Sequence, residues 1–333
     1  MRLGINGGGR IGRSLIRVAY QRNIEIVAIN DLMEIDRFAY LLKWDSVRGE
    51  FPAEVKVLSP TELKIGKWKV RYSQAPTPAE IDFGDANLVI EATGKFLTDS
   101  LARPHLKGNV QKVILSAPTQ DKIVPTYVLG VNHHLYRGED IISNGSCTTN
   151  CLAPIADILD RHYGIDRGFM TTIHSYTMDQ KLLDSPNSRD LRRSRGAGIN
   201  IIPTFTGAAV AIDRVLPQLS GRLDGRSVRV PVPNVSLMEL VIELKREPIG
   251  GTGELVTLFQ KYATTRLKGI LELDSQFRVS SDFNGHPASS ILATDLIKVN
   301  RKMVQLFSWY DNEWGYSNRL IEMGKYILNW KGK

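Results

Sequence analysis

Cysteine is nearly absent: the 333 residues contain two, Cys147 and Cys151, four positions apart. Such a pair cannot build a disulfide framework, which agrees with a reducing compartment, and with no histidine nearby it makes no metal site. Apolar runs approaching the roughly 18 to 20 residues that cross a bilayer are also missing, and a strand expected from Arg2 leaves no room for a signal peptide. A cytoplasmic protein without membrane contact is expected. Low-complexity tracts and internal repeats are absent. The net charge of +8 invites a nucleic-acid partner, but the 43 lysines and arginines are spread along the chain. The one dense cluster, Arg189 to Arg195, lacks interleaved aromatics and any nucleic-acid module, so a solvated face or a small phosphate ligand explains it better and no nucleic acid is expected. What is present is ordinary for a globular protein, with 42% apolar and 23% charged residues, and the length exceeds one compact core and suggests two domains.

The first half reads as strand, glycine turn, helix. Residues Arg2 to Ile5 lead into Gly7-Gly8-Gly9-Arg10-Ile11-Gly12, after which Leu15, Ile16, Val18 and Ala19 recur at helical spacing. Gly7, Gly9 and Gly12, with Arg10 and Ile11 between them, form the G-x-G-x-x-G pattern, in which small residues permit a tight turn, close approach of a pyrophosphate and close helix packing. A second apolar strand, Glu25 to Ile29, ends at Asn30-Asp31. Asp31 stands at the distance from the last glycine at which an acid binds a ribose 2′-hydroxyl, although an Asn-Asp pair after a strand also makes a turn or cap. An acid there repels a 2′-phosphate, so NAD is favoured over NADP. The runs 86–94 and 112–118 suit buried parallel strands whose ends, including Thr93, Gly94 and Ser116, would face the cofactor. Residues 47–74 carry no motif and read as an antiparallel edge or insertion.

The stretch Ser143-Asn144-Gly145-Ser146-Cys147-Thr148-Thr149-Asn150-Cys151 delivers a sulfur to a helix start. A strand ends just before it, and Leu152, Ile155, Ile158 and Leu159 follow at helical spacing, which makes Ser146 an N-cap and puts Cys147 in the first turn. Free N–H groups there favour a thiolate and can bind an oxyanion. A buried structural cysteine is the competing reading, and it is the one that suits Cys151. Pro154 should kink this helix. Further on, Gly168 to Thr172 reads as a strand ending in Ile173-His174-Ser175-Tyr176-Thr177. His174 lies 27 residues beyond Cys147 and can meet it only through the fold; if it does, it is the obvious base.

With these residues the chain resembles the phosphorylating glyceraldehyde-3-phosphate dehydrogenases from Arg2 to its end. The similarity is most specific in Ser143 to Cys151, His174 to Thr177, Thr206-Gly207-Ala208-Ala209, Arg229-Val230-Pro231-Val232-Pro233-Asn234-Val235-Ser236 and Trp309-Tyr310-Asp311-Asn312-Glu313-Trp314-Gly315-Tyr316. The resemblance implies an α/β chain with a Rossmann-type doubly wound parallel sheet over residues 1–147, to which a last helix in 313–333 returns. A catalytic α+β domain with a largely antiparallel sheet would span 148–312. It implies homotetramers, NAD as cofactor, glyceraldehyde 3-phosphate and inorganic phosphate as substrates, Cys147 as nucleophile and His174 as base. Thr177, Asp179 and Arg229 resemble the substrate-phosphate set, and Ser146, Thr148, Thr206, Gly207 and Arg193 the attacking-phosphate set. Asn312 resembles the residue that holds the nicotinamide amide. Along Ser227 to Val232, Arg229 alternates with Val228 and Val230, and the valines are expected to face a core with Arg229 on the opposite side.

Some positions depart from the family. Gly145 stands where alanine is usual, Gln74 where an arginine touches the adenosine half of the cofactor, and Phe205, Val210 and Val232 differ from common choices near the phosphate sites. The alternative within this fold is erythrose-4-phosphate dehydrogenase, which deacylates with water and lacks the Thr-Gly-Ala-Ala motif; Thr206 to Ala209 argue against it.

Overall fold

The computed structural model describes residues 1–187 and 190–332, and only the backbone of residues 209 and 210. Arg189, at the head of the basic cluster, and the side chain of Val210 therefore lie outside the described residues. The chain forms two compact units, one of Met1–Leu129, His133–Gly145 and the chain from Ser317 on, the other of Gly130–Asn132 and Ser146–Tyr316. No helix among the described residues is long and apolar enough to cross a membrane.

The first unit contains, in chain order, β1 (Arg2–Asn6), α1 (Arg10–Gln21), β2 (Glu25–Asn30), α2 (Ile35–Lys43) and a short ribbon of β3 (Trp44–Asp45) with β4 (Gly49–Glu50). β5 (Val55–Ser59), β6 (Glu62–Ile65), β7 (Trp68–Ser73), β8 (Leu88–Glu91), a single turn α3 (Asp99–Ala102), β9 (Lys112–Leu115) and β10 (Ile141–Ser143) follow. Its eight-stranded sheet runs β10-β9-β8-β1-β2-β7-β6-β5. From β10 to β7 every neighbour is parallel, and β7, β6 and β5 pair antiparallel, so residues 47–74 do supply an antiparallel edge. The central strands are apolar except at their ends, as strands covered on both faces must be: Leu3, Ile5, Val89, Ile90, Val113 and Ile114 have no exposed surface. Strand order reverses between β2 and β8, on either side of β1, which makes the carboxyl end of β1 the switch point where open α/β sheets bind ligands.

A polar seam crosses that edge. Ser73 donates to Asn30 (2.7 Å), Asn30 to Asn6 (2.8 Å) and Asn6 to Glu91 (2.5 Å), each residue being the last of its strand. Glu91 has no exposed surface and also binds His105 Nε2 at 3.0 Å and the Thr93 amide at 2.8 Å. Polar side chains can sit there without solvent because the seam satisfies them in turn.

The second unit is built on α4 (Cys147–Tyr163), β11 (Ile165–Ser175), β12 (Ile202–Phe205), α5 (Ala208–Val215), β13 (Leu223–Val230), β14 (Ser236–Leu244), α6 (Gly251–Thr264), β15 (Leu271–Asp274), β16 (Ser290–Ala293), β17 (Lys298–Asn300) and β18 (Met303–Tyr310). α7 (Trp314–Leu328) begins here and continues into the first unit. The sheet order is β12-β13-β11-β14-β18-β16-β15, antiparallel except for the pairs β11/β13 and β15/β16. The architecture is thus a doubly wound parallel sheet joined in one chain to an α+β unit with a mostly antiparallel sheet. α4 runs as one helix through Pro154 and packs on β11, β14 and β18. The face it covers is read in the alternation: Met170, Thr172 and His174 on β11, Met238, Leu240 and Ile242 on β14, and Leu306, Ser308 and Tyr310 on β18 are all buried.

This alternation corrects one expectation. Arg229 is the register partner of His174 in the parallel β11/β13 pair, so the two side chains share a face. It is the face of buried Leu223 and Ser227, while Val228 and Val230 lie on the other and stay half-buried. Alternation separates two faces but does not say which one a helix covers; here the covered face carries the arginine.

Glu91 gives a test of the seam. Glu91→Ala leaves Asn6, Thr93 and His105 without their shared acceptor, at about 1–3 kcal/mol per buried group. We expect the thermal midpoint to fall by about 5–10 °C, measured by calorimetry or circular dichroism; an unchanged midpoint would show that the seam contributes nothing.

Candidate active site

The glycine turn sits at the carboxyl end of β1. Gly7 has φ +105°, open to glycine, and its N–H donates to Asn30 O at 2.7 Å. A Cβ on Gly12 would lie 1.9 Å from Gly7 O, so the third glycine is what lets α1 approach the turn. Gly9 is the N-cap of α1, offers no capping side chain and has no atom within 4 Å of where a Cβ would be. A side chain at Gly9 would meet nothing, so the turn leaves room for a pyrophosphate beside the helix start. Arg13 donates to Gly8 O (2.7 Å) and fixes the peptide of the turn, while Arg10 is paired with Asp45 at 2.5 Å. Asp31, beyond β2, accepts from the amides of Gly8 (2.6 Å) and Met33 (2.8 Å). The acid is held against the glycine turn, as a ribose ligand requires. Ser116 follows β9 along the same edge, its N–H on Glu91 O at 2.9 Å. Gln74 reaches only the carbonyl of Leu32, at 3.4 Å.

In the second unit Ser146 caps α4, its hydroxyl accepting from Thr149 N–H at 3.0 Å. Cys147 opens the helix, with Sγ 3.7 Å from His174 Nε2 and 3.9 Å from Thr148 Oγ1. His174 arrives at the end of β11, 5% exposed. Its Nδ1 lies 2.7 Å from Ser175 O and 2.7 Å from an Arg229 Nη1 that also donates to Ser175 O at 2.9 Å. Thus sulfur, imidazole and guanidinium stand in line, brought together from residues 27 and 82 positions beyond the cysteine.

Their electrostatics oppose the thiolate expected from the helix start. Burial pushes the Cys147 thiol above its ordinary value, against the smaller opposite pulls of the Thr148 hydroxyl, Arg229 and the backbone N–H groups of Thr148 and Cys147. Burial, and then the charge of Arg229, push His174 down to about 3, against the Ser175 carbonyl. At neutral pH the resting pair is thiol and neutral imidazole.

Comparison with known proteins follows the same division. The description "Glyceraldehyde 3-phosphate dehydrogenase, NAD binding domain" matches residues 1–99, and "Glyceraldehyde 3-phosphate dehydrogenase, C-terminal domain" matches residues 146–312. The chain is 46% identical to glyceraldehyde-3-phosphate dehydrogenase 1 of Bacillus cereus, with 98% of each chain covered. It is 46% identical to the glyceraldehyde-3-phosphate dehydrogenase of Sclerotinia sclerotiorum, covering 98% of this chain and 97% of the relative. With glyceraldehyde-3-phosphate dehydrogenase A of Escherichia coli K12 the identity is 44%, over 98% and 99%. The chain belongs to the glyceraldehyde-3-phosphate dehydrogenase family. It is an NAD-dependent oxidoreductase, and the erythrose-4-phosphate alternative is not favoured.

Within the family's two phosphate-binding sets, the geometry joins some members and leaves others apart. Arg193 forms an ion pair with Asp179 and donates to Thr204 Oγ1 (2.7 Å) and Phe205 O (3.1 Å), so a residue of each set holds the other. Thr177 gives both its N–H and its hydroxyl to Gln180 Oε1. Thr206 accepts from Ala208 N–H at 3.2 Å beside Gly207, the N-cap of α5. Asn312 Oδ1 accepts from Ser175 (2.9 Å) and Ser236 (3.3 Å), which turns its amide nitrogen away from both. Gln180, Ser175, Ser236 and Tyr310 were not singled out from sequence. Tyr310 could have been, since it closes the buried alternation Val304, Leu306, Ser308 of β18 next to Asn312.

Arg229→Met separates the charge from its bulk. Loss of the cation should raise both neighbours, moving the midpoint of Cys147 alkylation by iodoacetamide upward in pH. A downward or absent shift would remove Arg229 from the electrostatics of the pair.

Proposed function

We propose that the chain oxidises glyceraldehyde 3-phosphate to an acyl phosphate with NAD and inorganic phosphate, through a thioester on Cys147. The observation that carries the residue assignment is the contact of Cys147 Sγ with His174 Nε2 at the first turn of a helix, with Arg229 behind the imidazole. Cys147 adds to the aldehyde, giving a hemithioacetal whose oxygen meets the N–H groups of the helix start. His174 Nε2 takes the hydroxyl proton as the carbon is oxidised, the ring's own proton being on Nδ1 and donated to Ser175 O. Bound NAD supplies the two-electron acceptor, for which Gly7, Gly9, Arg10, Ile11, Gly12, Asp31, Ser116 and Asn312 are the proposed contacts. The thioester is a good acyl donor because thiolate is a good leaving group, and attack by phosphate frees Cys147.

Arg229 and Thr177 are assigned to the substrate phosphate, and Ser146, Thr148, Thr206, Gly207 and Arg193 to the attacking one. Asp179 serves by holding Arg193, since an ionised carboxylate has no proton to offer a phosphate. Residues 1–147, with the last helix, form the NAD-binding domain in this reading, and 148–312 the catalytic domain. A homotetramer is supported by Met178, Leu182, Leu191, Ile199 and Ile201, each at least 71% exposed within one segment, more apolar surface than monomers ordinarily leave in water. A cytoplasmic location agrees with two free cysteines. The basic cluster supports a role without nucleic acid, since Arg193 is paired with Asp179 and Arg195 with Asp184.

Stopped-flow measurement of NADH tests the route. Wild type without phosphate should give a burst of about one NADH per site, then turn over when phosphate is added, while Cys147→Ser should lose both. Full activity in the serine variant would sink the mechanism. Faster reaction with erythrose 4-phosphate and indifference to phosphate would move the assignment to the other dehydrogenase.

A further inference from the structure

Behind the nucleophile lies a row of three hydroxyls that the mechanism above leaves unused. Tyr310 Oη is 2.7 Å from Thr172 Oγ1 and 2.9 Å from Thr148 Oγ1. All three side chains are buried, Tyr310 and Thr172 at 1% exposure and Thr148 at 4%. They come from β18, β11 and the first turn of α4, so the row joins the two strands that flank β14 and the helix laid over them. The ring of Tyr310 meets His174 edge to face, with centroids 6.0 Å apart.

We propose that Tyr310 and Thr172 are positioning residues that hold the Thr148 hydroxyl as a hydrogen-bond donor toward the attacking phosphate. The inference rests on the reading of Thr148 as a ligand of that phosphate. Three hydroxyls bring three protons, and two contacts within the row use two of them, leaving one at an end when Tyr310 accepts from one threonine and donates to the other. If Thr148 donated inward to Tyr310, it would present only lone pairs to an anion. If Thr172 donates to Tyr310 and Tyr310 to Thr148, the remaining proton is on Thr148, on the side of the sulfur. Thr148 has no competing use for it, since the residues three and four positions earlier, Gly145 and Asn144, precede the helix and offer no back-bonding carbonyl of it. Burial raises the Tyr310 phenol far above its ordinary value, so it keeps its proton and can accept from one threonine while donating to the other.

Acylation does not consume phosphate, which allows the two steps to be read apart. Tyr310→Phe keeps the ring edge against His174 and removes only the relay. We expect its phosphate KM to rise about tenfold, the worth of one buried hydrogen bond, while the NADH burst without phosphate stays within about twofold of wild type. Thr172→Val should act in the same direction more weakly, and Thr172→Ser should restore the wild-type value. An unchanged phosphate KM in Tyr310→Phe, or a burst that falls in proportion with turnover, overturns the relay. Thr148→Val tests the reading beneath it: a raised phosphate KM there with none in Tyr310→Phe rejects the relay alone, and no effect in Thr148→Val rejects both.

Discussion

Burying a cation beside two ionisable side chains is the constraint on which the second unit turns. Arg229 lies on the face of the sheet that α4 covers, where an isolated charge is costly and must find acceptors. It donates to Ser175 O and lies against the His174 ring, and in doing so sets the rest of the site. The imidazole is held neutral, the sulfur in front of it is desolvated, and the pair waits as thiol and imidazole rather than as an ion pair.

The first unit meets an opposite demand. Its ligand edge must leave donors free, so every polar side chain around them has to be satisfied elsewhere. The seam from Ser73 through Asn30 and Asn6 to Glu91 does this with the last residue of four neighbouring strands. Arg13 and Asp31 then fix the glycine turn from its carbonyl and its amide sides. At Gly9 the start of α1 has no capping side chain and has open space beside it, which suits a pyrophosphate.

Much of this was legible in the sequence because the signals are local. Gly7, Gly9 and Gly12 answer steric needs within one turn, and Ser146 caps the helix that Cys147 begins. His174 could be named but not joined to the cysteine without the fold. Arg229 was identified by its motif, yet its strand face was misread, because Val228 and Val230 looked like the core pair and are not. Tyr310 stands in a family motif without a role of its own in the sequence; its hydroxyl meets Thr148 and Thr172 from 162 and 138 positions away.

By itself the sequence determined the local chemistry: which turn could accept a dinucleotide, which cysteine began a helix, and which family's motifs follow in order. It could do so because backbone sterics, capping and helical spacing act over a few residues. The tertiary structure decided which face of β13 is covered, which partners hold Arg193 and Asn312, and whether the sulfur rests as thiol or thiolate. These depend on desolvation and on contacts between distant strands, and no short stretch of chain carries either.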